Sequence, residues 1–389
     1  MDDSLMMGLL TSFIAQTAAS PEQIHLALTE TPGTMRVTWA TMVPHDCAGQ
    51  VEYGAPVRVA VANNYSYVSD NFTGTLHTAV MRGLASGESL NYTVVSCSGE
   101  RATTYSFAYQ RDLSAGTLHF LAYGDMGVKN SGGTVSMTNL EAATGRYDLF
   151  INVGDTSYAD DDGPSGNNAA IFDAHFRNIE GHAARMPFMS VPGNHEGQYD
   201  FKPYVARMRN PVMANASAEL APFYYSYDYG AAHFVAYSSE HPLGAGSEQF
   251  AFLAHDLAAA ATPTARAARP WIIMYTHHPM YCSDLATWGS RCVTEANAFR
   301  ADLAALMETH GVDIHMSGHN HQCVFAPRFS SNVFRLAHVL TNALRAAHAH
   351  SPGTSALTPR RGASPLSSPR LLRAISRRRR TITPTRFSS

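Results

Sequence analysis

The sequence predicts an N-terminal β-sandwich followed by an α/β domain with mixed β-sheets flanked by helices. Three observations predict this fold class. Residues 21–110 carry short runs that alternate apolar and polar residues, broken by turn residues, as half-buried antiparallel strands do. From residue 117 the alternation gives way to compact apolar runs with helical-period stretches between them, the pattern of strands covered on both faces. Five of these compact runs then end on a carboxylate, an amide or an imidazole.

Taken in order, residues 6–14 (MMGLLTSFI) are a short apolar run followed by the small residues of AQTAAS. Residues 1–20 are therefore expected to be a signal peptide, with Asp2 and Asp3 standing where a basic start is usual. Glycosylation sequons at Asn64, Asn71, Asn91 and Asn215 point the same way, to a secreted protein or one of the secretory-pathway or vacuolar lumen. In that compartment Cys47 and Cys97, and Cys282 and Cys292, are expected to pair, leaving Cys323 odd. A bridge closing the short 282–292 loop would stabilise by roughly 2–3 kcal/mol. The alternative, buried free thiols in a cytosolic chain, does not account for the apolar start and the sequons.

Residues 21–112 form the first domain, with strands expected at IHLALTE, MRVTWAT, VEYG, HTAVMRGL, LNYTVVSC and TYSFAYQ. RDLSAG (111–116) breaks the pattern. The second domain, 116–325, has strands expected at 118–123, 148–153, 186–191, 271–276 and 312–317, and a hairpin over 224–240. Phe250, Leu253 and Leu257 mark one helix, and Phe299, Leu303 and Leu306 another over 295–310. Beyond 325 the composition changes. Residues 326–389 hold twelve Arg, no Lys and no acid, and are rich in Ser and Pro. That tail is expected to be disordered or an artefact of the gene model, adding no strand to the sheet, with a helix allowed only across 332–349. The remaining 325 residues carry 16 basic and 31 acidic side chains, a net of −15, which argues against nucleic-acid binding by the body. No run of about 18 apolar residues offers a membrane span.

The chemistry is expected at the strand ends. GDMG (124–127) follows the first compact run and carries Asp125. GDTSY (154–158) follows the second, with Asp155 and Tyr158. GNHE (193–196) brings Asn194, His195 and Glu196; HHPMY (277–281) brings His277 and His278; GHNH (318–321) brings His319 and His321. Any one of these is ordinary turn chemistry. All five together place Asp, Asn, His and Tyr at the carboxyl ends of successive strands, where α/β sheets form their ligand crevice. The set contains no thiolate, so it is not a structural Cys–zinc site. Oxygen and nitrogen donors of these types suit Fe, Mn or Zn. Seven donors exceed one ion's needs and suit two ions about 3.5–4 Å apart, the hydrolytic arrangement for phosphoesters.

The five blocks, in this order and with Tyr158 present, resemble the purple acid phosphatases of the calcineurin-like metallophosphoesterases. The stretch IHLALTE…MRVTWATM is similar to the fibronectin-III-like domain of the long, plant-type members, and the resemblance covers about residues 21–322. It implies that Asp125, Asp155, Tyr158 and His321 hold a ferric ion. Asp155, Asn194, His277 and His319 would hold a divalent Zn, Mn or Fe, with Asp155 bridging. It implies an acid phosphatase acting on small phosphate esters, and it admits a homodimer. His195 would contact the phosphate and protonate the leaving oxygen, Asn194 and His278 would line the substrate site, and Glu196 would support a neighbour. Three features depart from the family, one being that nothing in 326–389 resembles its Gly- and Asp-rich closing segment. The segment after HHPMY reads CSDLATWGSRC, without the usual histidines, and the last block continues HNHQCVFAP rather than His-x-His-x-Tyr-Glu-Arg. Phosphodiester or nucleotide pyrophosphate cleavage by the same core, and an impaired secreted metal-binding glycoprotein, are the competing readings.

Overall fold

The computed structural model describes residues 19–44, 46–67, 72–110, 118–129, 131–161, 168–281, 294, 300–321, 325–326 and 335–338. Residues 1–18 of the expected signal peptide over 1–20, the Asn71 sequon, the Cys282–Cys292 pair and Cys323 lie outside them.

The first domain is a sandwich of two four-stranded sheets. One sheet joins Glu22–Leu28, Thr34–Thr41, Thr75–Arg82 and Asn63–Tyr65; the other joins Arg58–Val61, Gln50–Tyr53, Ser89–Val95 and Tyr105–Ala108. Alternation sets the faces: Met35, Val37, Trp39, Ala79 and Met81 point into the core and the residues between them point out. The six expected strands are present. Arg58–Val61 and Asn63–Tyr65 were not expected, being short and polar or exposed. Cys47 and Cys97 form the expected disulfide, with Cα atoms 5.7 Å apart.

The second domain has two sheets. The parallel strands Phe120–Tyr123, Leu149–Asn152 and Phe188–Ser190 make the smaller. The larger is mixed: the hairpin Tyr225–Tyr229/Ala232–Ala236, then Trp271–Tyr275 and Ile314–Ser317 in parallel. The two sheets pack face to face through Leu149, Ile151 and Met189 on one side and Phe234, Tyr275 and Met316 on the other. Residue 150 points the opposite way, as period-2 geometry requires. There Phe150 and Phe188 meet Phe172, Phe176 and Ile179 of the helix Ala169–Ala183, whose start is capped by Asn168 accepting from Ala170 N at 3.1 Å. On the far side of the larger sheet, Leu253 and Leu257 of the helix Glu248–Ala260, and Leu303 and Met307 from the helical residues 300–310, cover Val235, Ile272 and Met274.

One expectation is corrected. Residues beyond 325 do add to the larger sheet: Arg335–His338 pairs in parallel with Ile314–Ser317, and Phe325–Ala326 pairs antiparallel with it. Residues 335–338 are therefore strand where a helix had been allowed. The reason is local: strand Ile314–Ser317 presents an open edge, and RLAH can pair with it through backbone groups whatever its side-chain charge.

The domains are bound by buried polar contacts. Arg207, 1% exposed, donates to Asp173 Oδ1 at 2.7 Å and to Gln23 Oε1 at 2.6 Å. Tyr92 Oη donates to Ala184 O at 2.7 Å. No helix among the described residues is long and apolar enough to cross a membrane.

Candidate metal centre

The two sheets converge so that all five expected strand ends open at one place. Asp125, Asp155, Tyr158, His319 and His321 each have positive φ, between 49° and 72°. Left-handed backbone is costly for residues with a Cβ and gathers where function demands it. Here it turns each side chain off its strand's path and into the shared crevice. Gly154 permits this at closest approach. Its φ is 91°, and a Cβ there would lie 2.7 Å from His277 Nδ1. A Cβ on Gly193 would strike Asp155 Oδ1.

The donors fall into two groups that share Asp155. In the first, the Tyr158 hydroxyl lies 2.9 Å from His321 Nε2, 3.3 Å from Asp155 Oδ2 and 3.5 Å from Asp125 Oδ1, and His321 Nε2 is 3.4 Å from Asp125 Oδ1. In the second, His277 Nε2 lies 3.1 Å from Asp155 Oδ2 and 3.2 Å from Asn194 Oδ1, and His319 Nδ1 is 2.9 Å from the same Asn194 oxygen. His277 Nδ1 donates to Val153 O at 2.8 Å, which leaves Nε2 as the ring nitrogen facing Asp155 and the one that would turn a lone pair to a metal. The seven residues named from sequence thus come together at one place, with Asp125, Asp155 and His277 forming one close group of donor atoms and His277, His278 and His319 another.

The electrostatics fit a cationic occupant. Asp125 and Asp155 are buried, and each of their ion partners among the described residues is a histidine. Burial pushes the Asp125 carboxyl up, against the pull of His321 and His277. Burial works the same way on Asp155, but the His277 imidazole overrides it and holds this carboxyl well below the usual range. Burial also opposes a charged His277, yet Asp155 and Asp125 push its ring up to about 10. Burial and the same two carboxylates drive the Tyr158 phenol far above its ordinary value, so a phenolate there requires a strong cation beside it. Buried carboxylates whose ion partners among the described residues are imidazoles, with a phenol beside them, form a donor set that fits metal ions.

Around this centre, Glu196 accepts three backbone N–H groups: Asp155 at 2.9 Å, Thr156 at 2.8 Å and Gly193 at 2.8 Å. Burial pushes its carboxyl up, to about 8, while the amides pull it back; both oxygens accept N–H, which favours the ionised form. The neighbour it supports is the GDTSY turn itself. His195 packs against Tyr158 with ring centres 4.2 Å apart and planes tilted by 41°, and its Nε2 lies 3.9 Å from Asp155 Oδ2. Its Nδ1 is 2.8 Å from Asp160 Oδ2 and 3.7 Å from Asp161 Oδ1. Burial disfavours the charged ring, but Asp160 and the neighbouring acids outweigh it and push His195 up to about 9. His278 stacks on His319 at 3.9 Å with its Nε2 3.3 Å from Glu240 Oε1. Sequence reasoning missed Asp160, Asp161 and Glu240. The first two were signalled by the acidic run directly after GDTSY; Glu240 had no local signal.

The calcineurin-like phosphoesterase profile matches residues 118–323, and the purple acid phosphatase N-terminal domain profile matches residues 21–109. The chain belongs to the purple acid phosphatase family. By that membership it is a metallophosphoesterase-type enzyme. It is 31% identical over 327 residues to human acid phosphatase type 7, covering 78% of this chain and 70% of that protein. It is 27% identical over 320 residues to purple acid phosphatase 22 of Arabidopsis thaliana, covering 79% and 67%. The fold is similar to that of purple acid phosphatase PPD1 from yellow lupin seeds, with a TM-score of 0.69 at 21% identity, covering 82% of this chain. The chain spans 64% of the length of that lupin protein.

Proposed function

We propose that this enzyme is an acid phosphatase that hydrolyses small phosphate monoesters at a dinuclear Fe(III)–M(II) centre, where M is Zn, Mn or Fe. The observation that carries the proposal is the pair of donor groups meeting at Asp155. Asp125, Asp155, Tyr158 and His321 would hold the ferric ion; Asp155, Asn194, His277 and His319 would hold the divalent one. When bound, the ions supply Lewis acidity for water activation and neutralise phosphoryl charge. The chain's own residues do the rest. Glu196 fixes the turn that presents Asp155. His195, with Nδ1 on Asp160 and its side chain 24% exposed, has Nε2 3.9 Å from Asp155 Oδ2. It is placed to contact a phosphoryl oxygen and to give a proton to the leaving alcohol. His278, held by Glu240, borders the divalent set and would line the ester pocket. The tyrosine selects the ferric, acid-active form, because only a strong cation makes a phenolate from so buried a phenol.

A secretory or vacuolar location is part of the proposal. It is supported by the Cys47–Cys97 bridge and by the exposed sequons Asn91 and Asn215. The test is metal content, visible absorption and turnover of p-nitrophenyl phosphate across pH, with bis-p-nitrophenyl phosphate as the diester comparison. Two metal equivalents including iron, a visible band and preference for the monoester at acid pH are expected. Asp155→Asn should lose both ions and turnover; more than a few per cent of activity with metal retained would sink the assignment.

A further inference from the structure

A cleft of about 550 Å³ lies between the two domains, lined by strands of both first-domain sheets, Arg36, Val80 and Arg82 on one and Val59 and Val61 on the other, and by second-domain residues between 204 and 222. It contains none of the metal-centre residues. In the register of the paired strands Thr34–Thr41 and Thr75–Arg82, Arg36 stands opposite Val80, and Arg82 opposite Thr34. Arg36, Val80 and Arg82 therefore share the outward face, with the two guanidinium groups on neighbouring strands. Arg209 comes from the other wall. It has positive φ, and its guanidinium sits 3.9 Å over the Tyr65 ring with a buried Nε that has no hydrogen-bond partner.

No Asp or Glu lines this cleft, although the first 325 residues carry a net charge of −15. Arg36 reaches Glu30 at 3.6 Å, a carboxylate 46% exposed and outside the lining; its Nη1 is spent on the carbonyls of Arg209 and Asn210. Arg82 and Arg209 have no carboxylate partner among the described residues. Part of the remaining wall is apolar and open to solvent: Val59 is 53% exposed, Val61 69% and Val212 47%. Three arginines lining one cleft that no acid lines, beside exposed valines, match a ligand with an oxyanion at one end and an apolar body at the other. The volume is that of a small-molecule site.

We propose that this interdomain cleft binds a small organic anion, with its oxyanion held by Arg36, Arg82 and Arg209 and its apolar body laid against Val59, Val61 and Val212. The site is separate from the metal centre and does not depend on the reaction proposed for it. The probe is 2-naphthalenesulfonate, which carries an oxyanion on an apolar body and has no ester to hydrolyse. Calorimetric titration of the metal-loaded protein should show one saturable site with Kd below about 1 mM. Binding should weaken as salt rises from about 0.05 to 0.5 M. Arg82→Glu and Val61→Asp should each weaken it about tenfold or more, since each removes or opposes one half of the recognition. Both residues are at the surface, and turnover of p-nitrophenyl phosphate by the two variants should stay within about twofold of the parent, which shows that they fold. No saturable binding by the parent at several millimolar would overturn the proposal. So would equal affinity in all three proteins, or binding that inorganic phosphate abolishes in the parent while Arg82→Glu leaves it unchanged.

Discussion

Replacing Glu196 by Gln tests whether the metal centre is held from behind. The carboxylate accepts Asp155 N and Gly193 N on Oε2, and Thr156 N on Oε1, all at 2.8–2.9 Å and fully buried. A glutamine has one acceptor oxygen. In its better orientation that oxygen keeps Asp155 and Gly193, while the amide NH₂ meets the Thr156 N–H donor to donor. One charge-assisted bond is lost, one buried N–H is orphaned, and the two surviving bonds lose their ionic partner. At about 1.5–3 kcal/mol for a bond to a charged group and about 1–3 kcal/mol for an orphaned donor, with partial relaxation, the cost is about 2–4 kcal/mol. For a domain of this size that corresponds to a fall of roughly 5–12 °C in the unfolding midpoint, measured by scanning calorimetry. Because the lost donors belong to the turn that carries Asp155, metal affinity should also fall, by roughly 10–100-fold. Glu219→Gln, at an exposed acid, is the control and should change neither quantity. A Glu196→Gln protein that melts within about 1 °C of the parent and retains its metal would refute the reasoning.

Other outcomes follow from the same structure. Tyr158→Phe should bleach the visible band of the iron-loaded enzyme while leaving partial hydrolysis; an unbleached band would detach Tyr158 from the iron. Arg207→Met leaves the buried Asp173 with only the Gln23 amide at 3.1 Å and no charge partner, and should cost about 3–5 kcal/mol in urea unfolding; a cost under about 1 kcal/mol would contradict the buried pairing. His233 lies 2.8 Å from both Asp228 and Asp256; burial opposes its charge, but the two acids push it up to about 9. Its folded value exceeds its unfolded value near 6.5, so its contribution is full below about pH 6.5 and is lost as pH rises through 9. The stability gap between the parent and His233→Gln should thus be about 2 kcal/mol larger at pH 6 than at pH 9.5, after discounting for the half-exposed Asp228; a gap that does not vary with pH would remove the ion pair from the account.

Much of this protein is local information, and the sequence alone determined that part. Period-2 alternation named six sandwich strands, compact apolar runs named five catalytic strands, and Gly-Asp, Gly-Asn-His and Gly-His-Asn-His marked where each run stops. Those signals are legible because strand pleat, glycine turns and donor chemistry act over a few neighbouring residues. What the tertiary structure decided is non-local. The runs do not say how the strands are shared between two sheets packed face to face, and only that packing brings Tyr158 within 2.9 Å of His321 across 163 residues. Glu240 reaches His278 because a hairpin end lies beside a separate strand end, and no spacing in the chain encodes that contact. Strand Arg335–His338 was invisible because backbone pairing with an open edge needs no apolar pattern. The arginine cleft was equally invisible: Arg36, Arg82 and Arg209 are unremarkable surface residues until two domains dock and leave them facing one space without an acid among them.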